Sequence, residues 1–421
     1  MSASVGAPSA APCLAGVEVA ALRGVRLPDG TLGEVRFSGG SVAATPGPGL
    51  SLDASGWRVL PAACEPHAHL DKALTAPRMD PGAGNDLPTA IAQWRSILPG
   101  IDRADIESRA LAAVGRYLAN GITAIRSHVD VPLEGDRFRG VDALVGLRER
   151  LRGTVDLQVC LLAGSEADDG VVAEAVARGV DVVGGCPHLA PDPRHEITRM
   201  LDVAQAHDLP VDLHADEQTD VGHALDLEEM ARQVLARGMR QRVTASHCVR
   251  LGMLPPDRLA QVLDLTARAG IGIVTLPITN LYLQGRGIPG NPRGLAPLPA
   301  ILAAGVPLAA GADNLRDPFN PAGRADPFET TSLLQTAGHL RAGEALHAVT
   351  GGARAVLGLP AAGVGPGERA DLLLVPDTEP GDLLAGAPEA RIVLAGGRVV
   401  ADSRVARQVH LSPSELPEVV A

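Results

Sequence analysis

The amino-acid sequence predicts a (β/α)8 barrel with a small β-sandwich formed from both ends of the chain. Eight short apolar stretches, each typical of a buried strand, alternate with amphipathic helical stretches over about 250 residues. Short β-like pieces separated by Pro/Gly turns precede and follow this alternating region. Histidines and carboxylates recur where the barrel strands should end. These observations favour a barrel whose functional site lies at the carboxyl ends of its strands.

The alternating pattern predicts where each element of the barrel lies. The predicted strands are residues 59–63, 122–129, 155–163, 180–186, 210–214, 242–247, 271–276 and 306–313. The predicted helices include residues 105–120, 167–178, 192–207 and 225–237, each long enough to connect two parallel strands. An open doubly wound sheet is the main rival, but no glycine-rich nucleotide fingerprint opens the first helix.

The β-like pieces at the two ends predict a second, smaller domain. They cover residues 16–22, 33–37 and 42–45 at one end, and residues 370–375, 391–394 and 397–401 at the other. The simplest closure pairs them into one sandwich, which divides the chain into residues 1–58, 59–360 and 361–421. Two longer loops, residues 73–88 and 279–297, follow strands 1 and 7, at the face where barrels hold their substrates.

Composition excludes several classes of function. The chain has 421 residues, a formal net charge of −12, 46% hydrophobic residues and 2% aromatic residues. The negative charge argues against nucleic acid or an anionic membrane as a partner, and the few aromatic residues argue against a platform for stacked bases. Five scattered cysteines and the lack of a long apolar run predict a cytoplasmic protein with free thiols. Lys72 is the only lysine, so any lysine chemistry must use it.

Polar residues at the predicted strand ends form the candidate site. His67 and His69 follow strand 1 in HxH spacing, which directs both imidazoles to one side of a strand. Later strand ends add His128, His188, His214, Glu217, His247, Asp313 and Asn314. A single histidine is more often structural than a ligand, but this many at the strand ends of one barrel favours a shared metal site.

Imidazole and carboxylate groups together suit one divalent metal ion. Three histidine nitrogens and one carboxylate bind zinc or iron and leave a position open for water, which the ion converts to a hydroxide nucleophile. A lysine-bridged pair of ions is not expected, because strand 4 ends without a lysine or a carboxylate and Lys72 follows strand 1. Glu217, three residues after His214, is a candidate proton shuttle; the alternative is an exposed acid at the start of a helix.

Six segments are similar to the amidohydrolase superfamily, and in particular to its cytosine deaminase branch. They are residues 65–72 (EPHAHLDK), 128–131 (HVDV), 214–217 (HADE), 244–247 (TASH), 283–286 (LQGR) and 313–319 (DNLRDPF). These segments occur in family order over nearly the whole chain, and together they are highly specific.

The resemblance implies a role for each site residue. It implies one Fe²⁺ or Zn²⁺ held by His67, His69, His214 and Asp313, with Glu217 as the proton shuttle. It further implies that His247 polarises the hydroxide and the tetrahedral intermediate, and that Asp313 accepts the proton of the water. Whether His247 contacts the metal is left open. Relatives often form homo-oligomers, and we expect the same of this chain.

Two departures from the family pattern concern the substrate. The family has a Gln after strand 3, which is absent from residues 162–166, and it has a second Asp where this chain has Asn314. Loss of a hydrogen-bonding partner strongly changes discrimination between polar substrates, so these changes argue against cytosine itself. The candidates for substrate contact are Asn314, Gln284, Arg286 and His188, each with a structural role as the alternative.

Three hypotheses for the function follow. The leading one is a metal-dependent aminohydrolase, in which hydroxide attacks an amino-bearing ring carbon of a small nitrogen heterocycle and ammonia leaves. A second is a hydrolase that removes an alkylamine from an N-substituted triazine or opens a cyclic amide. A third is an inactive barrel that serves as a binding protein, which is disfavoured because every expected ligand and the acid are present.

Overall fold

The computed structural model describes residues 13–80, 86–220, 222–287, 290 and 292–405. The strands are β1 (Val19–Arg26), β2 (Leu32–Ser38), β3 (Ser41–Val42), β4 (Leu50–Asp53), β5 (Trp57–Pro61), β6 (Ala63–Ala68), β7 (Ile122–Asp130), β8 (Asp156–Leu162), β9 (Val183–Gly185), β10 (Val211–Ala215), β11 (Val243–His247), β12 (Gly272–Thr275), β13 (Leu308–Ala310), β14 (Leu372–Pro376), β15 (Ile392–Ala395) and β16 (Arg398–Asp402). The helices are α1 (Leu87–Ile97), α2 (Arg103–Ala119), α3 (Arg139–Arg150), α4 (Asp169–Ala177), α5 (Pro193–His207), α6 (Asp226–Arg237), α7 (Pro256–Ala269), α8 (Pro277–Leu283), α9 (Leu298–Ala303), α10 (Pro327–Thr336), α11 (Ala342–Val349), α12 (Gly351–Leu357) and α13 (Pro380–Gly386).

Strands β6 to β13 form the predicted barrel of parallel strands. They make two sheets, in the orders β6-β7-β8 and β9-β10-β11-β12-β13. Parallel bridges join β8 to the β9 region at Cys160–Val182 and Ala163–Gly185. A further parallel bridge, Ala68–Asp313, joins the end of β6 to the segment after β13 and closes the ring. The predicted (β/α)8 architecture is therefore confirmed.

The barrel is stabilised by burial on both faces of its strands. Every residue of β6, β10 and β11 is buried, as expected for parallel strands that are covered by helices. The covering helices present one apolar stripe each: in α6 the buried residues Leu227, Met230, Ala231 and Val234 have the spacing of one helix face. Because the strands are enclosed in this way, polar side chains at their ends are held in a dry and rigid setting.

The strands from the two chain ends form one further sheet, in the order β16-β15-β14-β5-β1-β2-β3, with β4 paired to β1. The pairing across the chain ends is made by β14 and β5, which run antiparallel with Leu373 opposite Leu60. Apolar residues of both end regions, among them Leu22, Phe37 and Leu394, share one core cluster. The predicted association of the two ends is thus observed.

The first predicted barrel strand, residues 59–63, is divided in the structure. Residues 57–61 form β5 of the small sheet, and the barrel strand β6 begins only at Ala63. The chain changes sheets between two adjacent residues, since Ala62 N donates to Asp371 O and Ala63 N donates to Gly121 O. A short apolar run does not reveal which of two sheets it joins, so the prediction was wrong at this strand.

The predicted loop at 279–297 also differs, because residues 279–283 belong to α8; the next helix, α9, begins at Leu298, directly after the predicted loop. The other predicted loop, 73–88, leads directly into α1. Among the described residues, no helix combines the length and the apolar character needed to cross a bilayer.

Candidate active site

Four side chains converge at the carboxyl end of the barrel. His67 and His69 come from β6 and the residue after it, His214 comes from β10, and Asp313 follows β13. The Nε2 atom of His214 lies 3.1 Å from Nε2 of His67 and 3.3 Å from Nε2 of His69. Asp313 Oδ1 lies 3.2 Å from Nε2 of His69 and 3.9 Å from Nε2 of His67. All four side chains are buried.

This donor set fits a divalent metal ion. Ligand atoms about 2.0–2.1 Å from a tetrahedral ion lie ~3.3 Å from one another, close to the separations between the histidine nitrogens. Asp313 Oδ1 is buried and accepts no hydrogen bond from the described residues, so a cation would supply the partner that it lacks. The structure therefore brings His67, His69, His214 and Asp313 together, with three separations of 3.1–3.3 Å and a longer one of 3.9 Å between Asp313 and His67.

A hydrogen-bonded chain behind His67 sets its tautomer. Ser246 Oγ lies 2.9 Å from Nδ1 of His67 and donates its own proton to Asp212 Oδ1 at 2.7 Å. Because the hydroxyl proton is used in that bond, Oγ accepts a proton from Nδ1, which leaves a lone pair on Nε2. Arg126 donates to the other oxygen of Asp212 at 2.9 Å and keeps this buried carboxylate paired.

His69 has an unusual neighbour in Lys72. The buried ammonium lies 3.4 Å from Nδ1 of His69, 2.7 Å from Asp130 Oδ1 and 3.3 Å from Asp71 Oδ2. Trp94 of α1 donates to the second oxygen of Asp130 at 2.7 Å. The single lysine is thus part of an ion-paired cluster that connects the first loop to the end of β7.

Glu217 lies beside this centre, held between two histidines. Its Oε2 is 3.4 Å from Nε2 of His188, and its Oε1 is 3.9 Å from Nδ1 of His247. Burial raises the pKa of Glu217, but the neighbouring His247 and His188 outweigh burial and hold the pKa below its usual value. The side chain is therefore a carboxylate at neutral pH, the form that accepts a proton.

The histidines of the centre are neutral and Asp313 is the group that favours a proton. Burial and the neighbouring histidines lower the pKa of His67 and His214 well below the usual value, and burial lowers that of His247 to about 4. Burial, followed by the charges of Glu217, Asp317 and Glu65, raises the pKa of Asp313 well above its usual value. Neutral imidazoles next to a carboxyl that resists ionisation are typical of a site completed by a cation.

Several strand ends carry backbone strain. Asp216, His247 and Asp313 have positive φ angles of 53°, 73° and 69°, a conformation uncommon for residues other than glycine. The structure holds Asp216 with backbone N–H donors from Asp226 and Leu227 to its carboxylate. Such strain persists only where surrounding contacts enforce it, and it clusters at functional sites.

The comparisons with known proteins agree with this geometry. A sequence model described as the amidohydrolase family matches residues 95–401, which is well over half of the chain. The chain belongs to the amidohydrolase family. It is also 31% identical over 352 residues to a pterin deaminase of Rhizobium rhizogenes strain K84, covering 81% of this chain and 80% of the relative.

Solved structures give the same result. The fold is similar to 5-methylcytosine deaminase from Klebsiella pneumoniae liganded with 5-fluorocytosine, with a TM-score of 0.84, 25% identity and coverage of 93% of this chain and 99% of that one. It is also similar to N-isopropylammelide isopropylaminohydrolase from Burkholderia multivorans, with a TM-score of 0.78, 28% identity and coverage of 92% and 99%. The expected membership of the superfamily and its cytosine deaminase-like branch is confirmed, and the amidohydrolase is a hydrolase of carbon–nitrogen bonds other than peptide bonds.

The four candidates for substrate contact in this amidohydrolase differ in their surroundings. Asn314 donates through Nδ2 to Asp317 Oδ2 at 2.7 Å. His188 donates a hydrogen bond through Nδ1 to the carbonyl oxygen of His214 at 2.9 Å. Gln284 follows α8, and its Nε2 is buried without a hydrogen-bond partner among the described residues. Arg286 is exposed, with its guanidinium 5.2 Å from the ring centre of Tyr282.

Three residues of the centre were missed in the sequence. Asp212 lies two positions before His214 on β10 and therefore on the same face of the strand, so period-two spacing is a signal that could have found it. Ser246 directly precedes His247 on β11. Asn280, whose Nδ2 lies 3.0 Å from Nδ1 of His247, is on α8, inside a stretch predicted to be a loop. No spacing rule connects it to His247.

A buried carboxylate closes the seam of the barrel next to Asp313. Both oxygens of Glu65 accept the backbone N–H of Ala312, at 3.1 and 2.9 Å, and burial raises the pKa of Glu65 to about 8. A Cβ atom at Gly311 would lie 2.0 Å from Glu65 Oε1 and 2.9 Å from Pro66 Cδ. Only glycine therefore allows β13 to approach β6 this closely.

The Gly311→Ala variant is expected to destabilise the fold. The added methyl must displace Glu65 and the proline ring, an overpacking that costs about 1–3 kcal/mol, and it shifts the segment that carries Asp313. Thermal unfolding and metal content check this expectation. Gly343→Ala in α11 is the matched control, because a Cβ at Gly343 meets no atom within 4 Å and alanine favours a helix. Equal unfolding temperatures for the two variants would contradict the role given to Gly311.

Proposed function

We propose that this amidohydrolase is a metal-dependent deaminase that releases ammonia from a small nitrogen heterocycle. The observation that carries the proposal is the buried carboxylate of Glu217, which lies between His188 and His247 beside the clustered polar atoms of His67, His69, His214 and Asp313. A carboxylate in this position can move a proton between water and a leaving nitrogen.

We assign one divalent ion, zinc or iron, to His67, His69, His214 and Asp313. Both ions bind imidazole nitrogen and carboxylate oxygen, so the donor atoms of this set suit either of them. When bound, such an ion supplies Lewis acidity and an activated water molecule. The pKa values of the three histidines are lowered and that of Asp313 is raised, so a bound ion would favour the ionised form of Asp313.

The remaining residues handle protons and orientation. Glu217 accepts a proton from the attacking water as oxygen bonds to the amino-bearing ring carbon, and it then delivers that proton to the amino nitrogen. His247 donates a hydrogen bond to the oxygen that has bonded to that carbon, while the carbon–nitrogen double bond of the ring becomes a single bond. Asp313 accepts the second proton of the water, and this proton passes to the ring nitrogen whose double bond to that carbon opens during the attack. Cleavage of the C–N bond releases ammonia and leaves a ring carbonyl.

The proposed substrate class comes from two similar proteins, the pterin deaminase and the 5-methylcytosine deaminase. Cytosines and pterins both carry the ring sequence O=C–N–C–NH2, in which the amino-bearing carbon and a carbonyl carbon share one ring nitrogen. We propose a substrate with this array. The unpartnered Nε2 of Gln284 is the candidate donor to its carbonyl oxygen, and the exposed Arg286 is a second candidate contact. Asn314 shapes the site through Asp317, and His188 orients Glu217.

Release of ammonia from a panel of heterocycles tests the proposal. The panel contains cytosine, 5-methylcytosine, isocytosine, pterin, creatinine and N-isopropylammelide, each assayed with enzyme loaded with zinc or with Fe²⁺. We expect ammonia from a ring with the O=C–N–C–NH2 array, and a lower rate with cytosine than with its relatives. If the metal-loaded enzyme released no ammonia from any compound of the panel, deamination would be contradicted.

A second candidate function is removal of an alkylamine. It is favoured by the similarity in fold to N-isopropylammelide isopropylaminohydrolase from Burkholderia multivorans. The same centre would then expel isopropylamine in place of ammonia. Analysis of the amine product from the N-isopropylammelide reaction separates the two functions.

A further inference from the structure

We propose that Asn280 is a positioning residue that fixes the tautomer of His247, with the ring proton on Nε2. His247 then acts as a hydrogen-bond donor to the reacting oxygen and is not a ligand of the metal. The inference rests on the proposed function for its catalytic consequence, whereas the tautomer itself is measurable without substrate.

The contact between the two side chains carries this inference. Asn280 Nδ2 lies 3.0 Å from Nδ1 of His247, and both side chains are buried. As the structure orients the Asn280 amide, its NH2 group faces Nδ1 and donates to it, so Nδ1 accepts. A neutral imidazole carries one proton, which therefore resides on Nε2. Glu217 Oε1, at 3.9 Å from the same Nδ1, is too distant to accept a hydrogen bond from it.

The other nitrogen of His247 is free to act. Nε2 is buried and has no hydrogen-bond partner among the described residues. One ring nitrogen of His247 lies within 4.8 Å of ligand atoms of His67 and Asp313, which places the ring beside the metal-binding atoms. Since Nδ1 is occupied by Asn280, Nε2 is the atom available to substrate.

The helix that carries Asn280 is anchored to the opposite side of the centre. The neighbouring Thr279 donates through Oγ1 to the carbonyl oxygen of Ala312 at 3.1 Å. The same hydroxyl lies 3.5 Å from the backbone N of Asn314, as an acceptor. Adjacent residues of α8 thus contact His247 on one side and the segment of Asp313 on the other, which ties the position of α8 to both.

The position of this proton matters for catalysis. Three imidazoles and Asp313 already supply four ligand atoms, and a lone pair on Nε2 of His247 would compete for the position that water needs. A proton on Nε2 prevents this coordination and places a preformed donor where negative charge develops on oxygen. Loss of one such donor typically lowers kcat by about 10²–10³.

The experiment uses Asn280→Asp, which replaces the amide donor with an acceptor of the same shape. The aspartate accepts a proton from Nδ1 and therefore moves the lone pair to Nε2. In zinc-loaded, ¹⁵N-histidine-labelled protein without substrate, two-bond ¹⁵N–¹H correlation spectra distinguish the two tautomers, and His247→Gln assigns the signal. We expect the Nε2–H pattern for His247 in the wild type and the Nδ1–H pattern in the variant.

Kinetics provide the second readout. We expect Asn280→Asp to lower kcat by about 10²–10³ with KM changed by less than about threefold. Asn120→Asp is the matched control, because Asn120 lies at the end of α2 and donates to the carbonyl oxygens of Arg324 and Ala325. A wild-type His247 with its proton on Nδ1, or an Asn280→Asp variant with unchanged kcat, would overturn the inference. A correct tautomer together with no ammonia from any substrate would refute the proposed function alone.

Discussion

The Glu217→Gln variant is expected to lose turnover by about 10²–10⁴ while it binds metal like the wild type. The glutamine amide has nearly the same shape as the carboxylate but cannot accept a proton from water at neutral pH. Glu217 lies outside the set of metal-binding atoms, next to His188 and His247, so metal content should not change. Steady-state ammonia release and elemental analysis of the purified protein measure the two properties separately.

Glu228→Gln is a suitable control for Glu217→Gln. Glu228 is also a buried glutamate, but it lies on α6 and pairs with Arg232 and Arg258. Its replacement removes a carboxylate without touching the centre, so turnover should stay within a few-fold of the wild type. If Glu217→Gln turned over substrate at the same rate as Glu228→Gln, Glu217 would not be the proton shuttle.

The Asp313→Asn variant is expected to lose both metal and activity. The amide removes the only anionic donor, so metal affinity should fall by more than the roughly 10–100-fold that the loss of an outer-shell partner costs. Turnover falls with it, and added metal restores little. Competition with a chelator measures the affinity, and this result differs from Glu217→Gln, in which metal is retained.

Stability should respond to Asp313→Asn in opposite directions with and without metal. In metal-free protein the pKa of Asp313 is raised by burial and by Glu217, Asp317 and Glu65, so its contribution to stability is present below about pH 4 and is lost as pH rises through the raised pKa. The asparagine variant does not lose stability in this way. At pH 8 its metal-free form should therefore have an unfolding temperature at least as high as that of the metal-free wild type. With metal at a thousandfold excess over Kd, the wild type gains about 4 kcal/mol and the variant gains less.

Asp377→Asn provides the control for both measurements. Asp377 pairs with Arg26 at 2.9 Å and Arg58 at 3.4 Å beside the small sheet, far from the metal-binding atoms in the fold. Its variant should keep full metal affinity. An Asp313→Asn variant that retained the wild-type metal affinity would remove Asp313 from the set of ligands.

Much of the architecture is encoded locally. The helices predicted from amphipathic spacing, such as residues 192–207 and 225–237, agree within a residue or two with α5 and α6. The period of 3.6 residues is a property of each segment alone, so it survives without tertiary information. The first barrel strand was misplaced, because residues 59–63 are apolar throughout and the partner of an apolar run is chosen by the sheets that surround it.

Part of the candidate site could likewise be predicted from the sequence. HxH spacing and recurrence at strand ends predicted a group of histidines and carboxylates at one face, because the parallel strands of a barrel bring their carboxyl ends together. The resemblance to the family then chose four proposed metal ligands among them.

The contacts that tune these residues were decided only by the tertiary structure. Ser246 and Asp212 set the tautomer of His67, Lys72 pairs with Asp130, and Asn280 of α8 meets His247 at the end of β11. Each of these contacts joins residues from different elements of the barrel, and their distances depend on how the barrel closes. Sequence by itself determined which groups face the centre, through the fixed periods of helix and strand. Tertiary structure decided which proton each group carries, because that depends on partners brought within 3 Å by long-range packing.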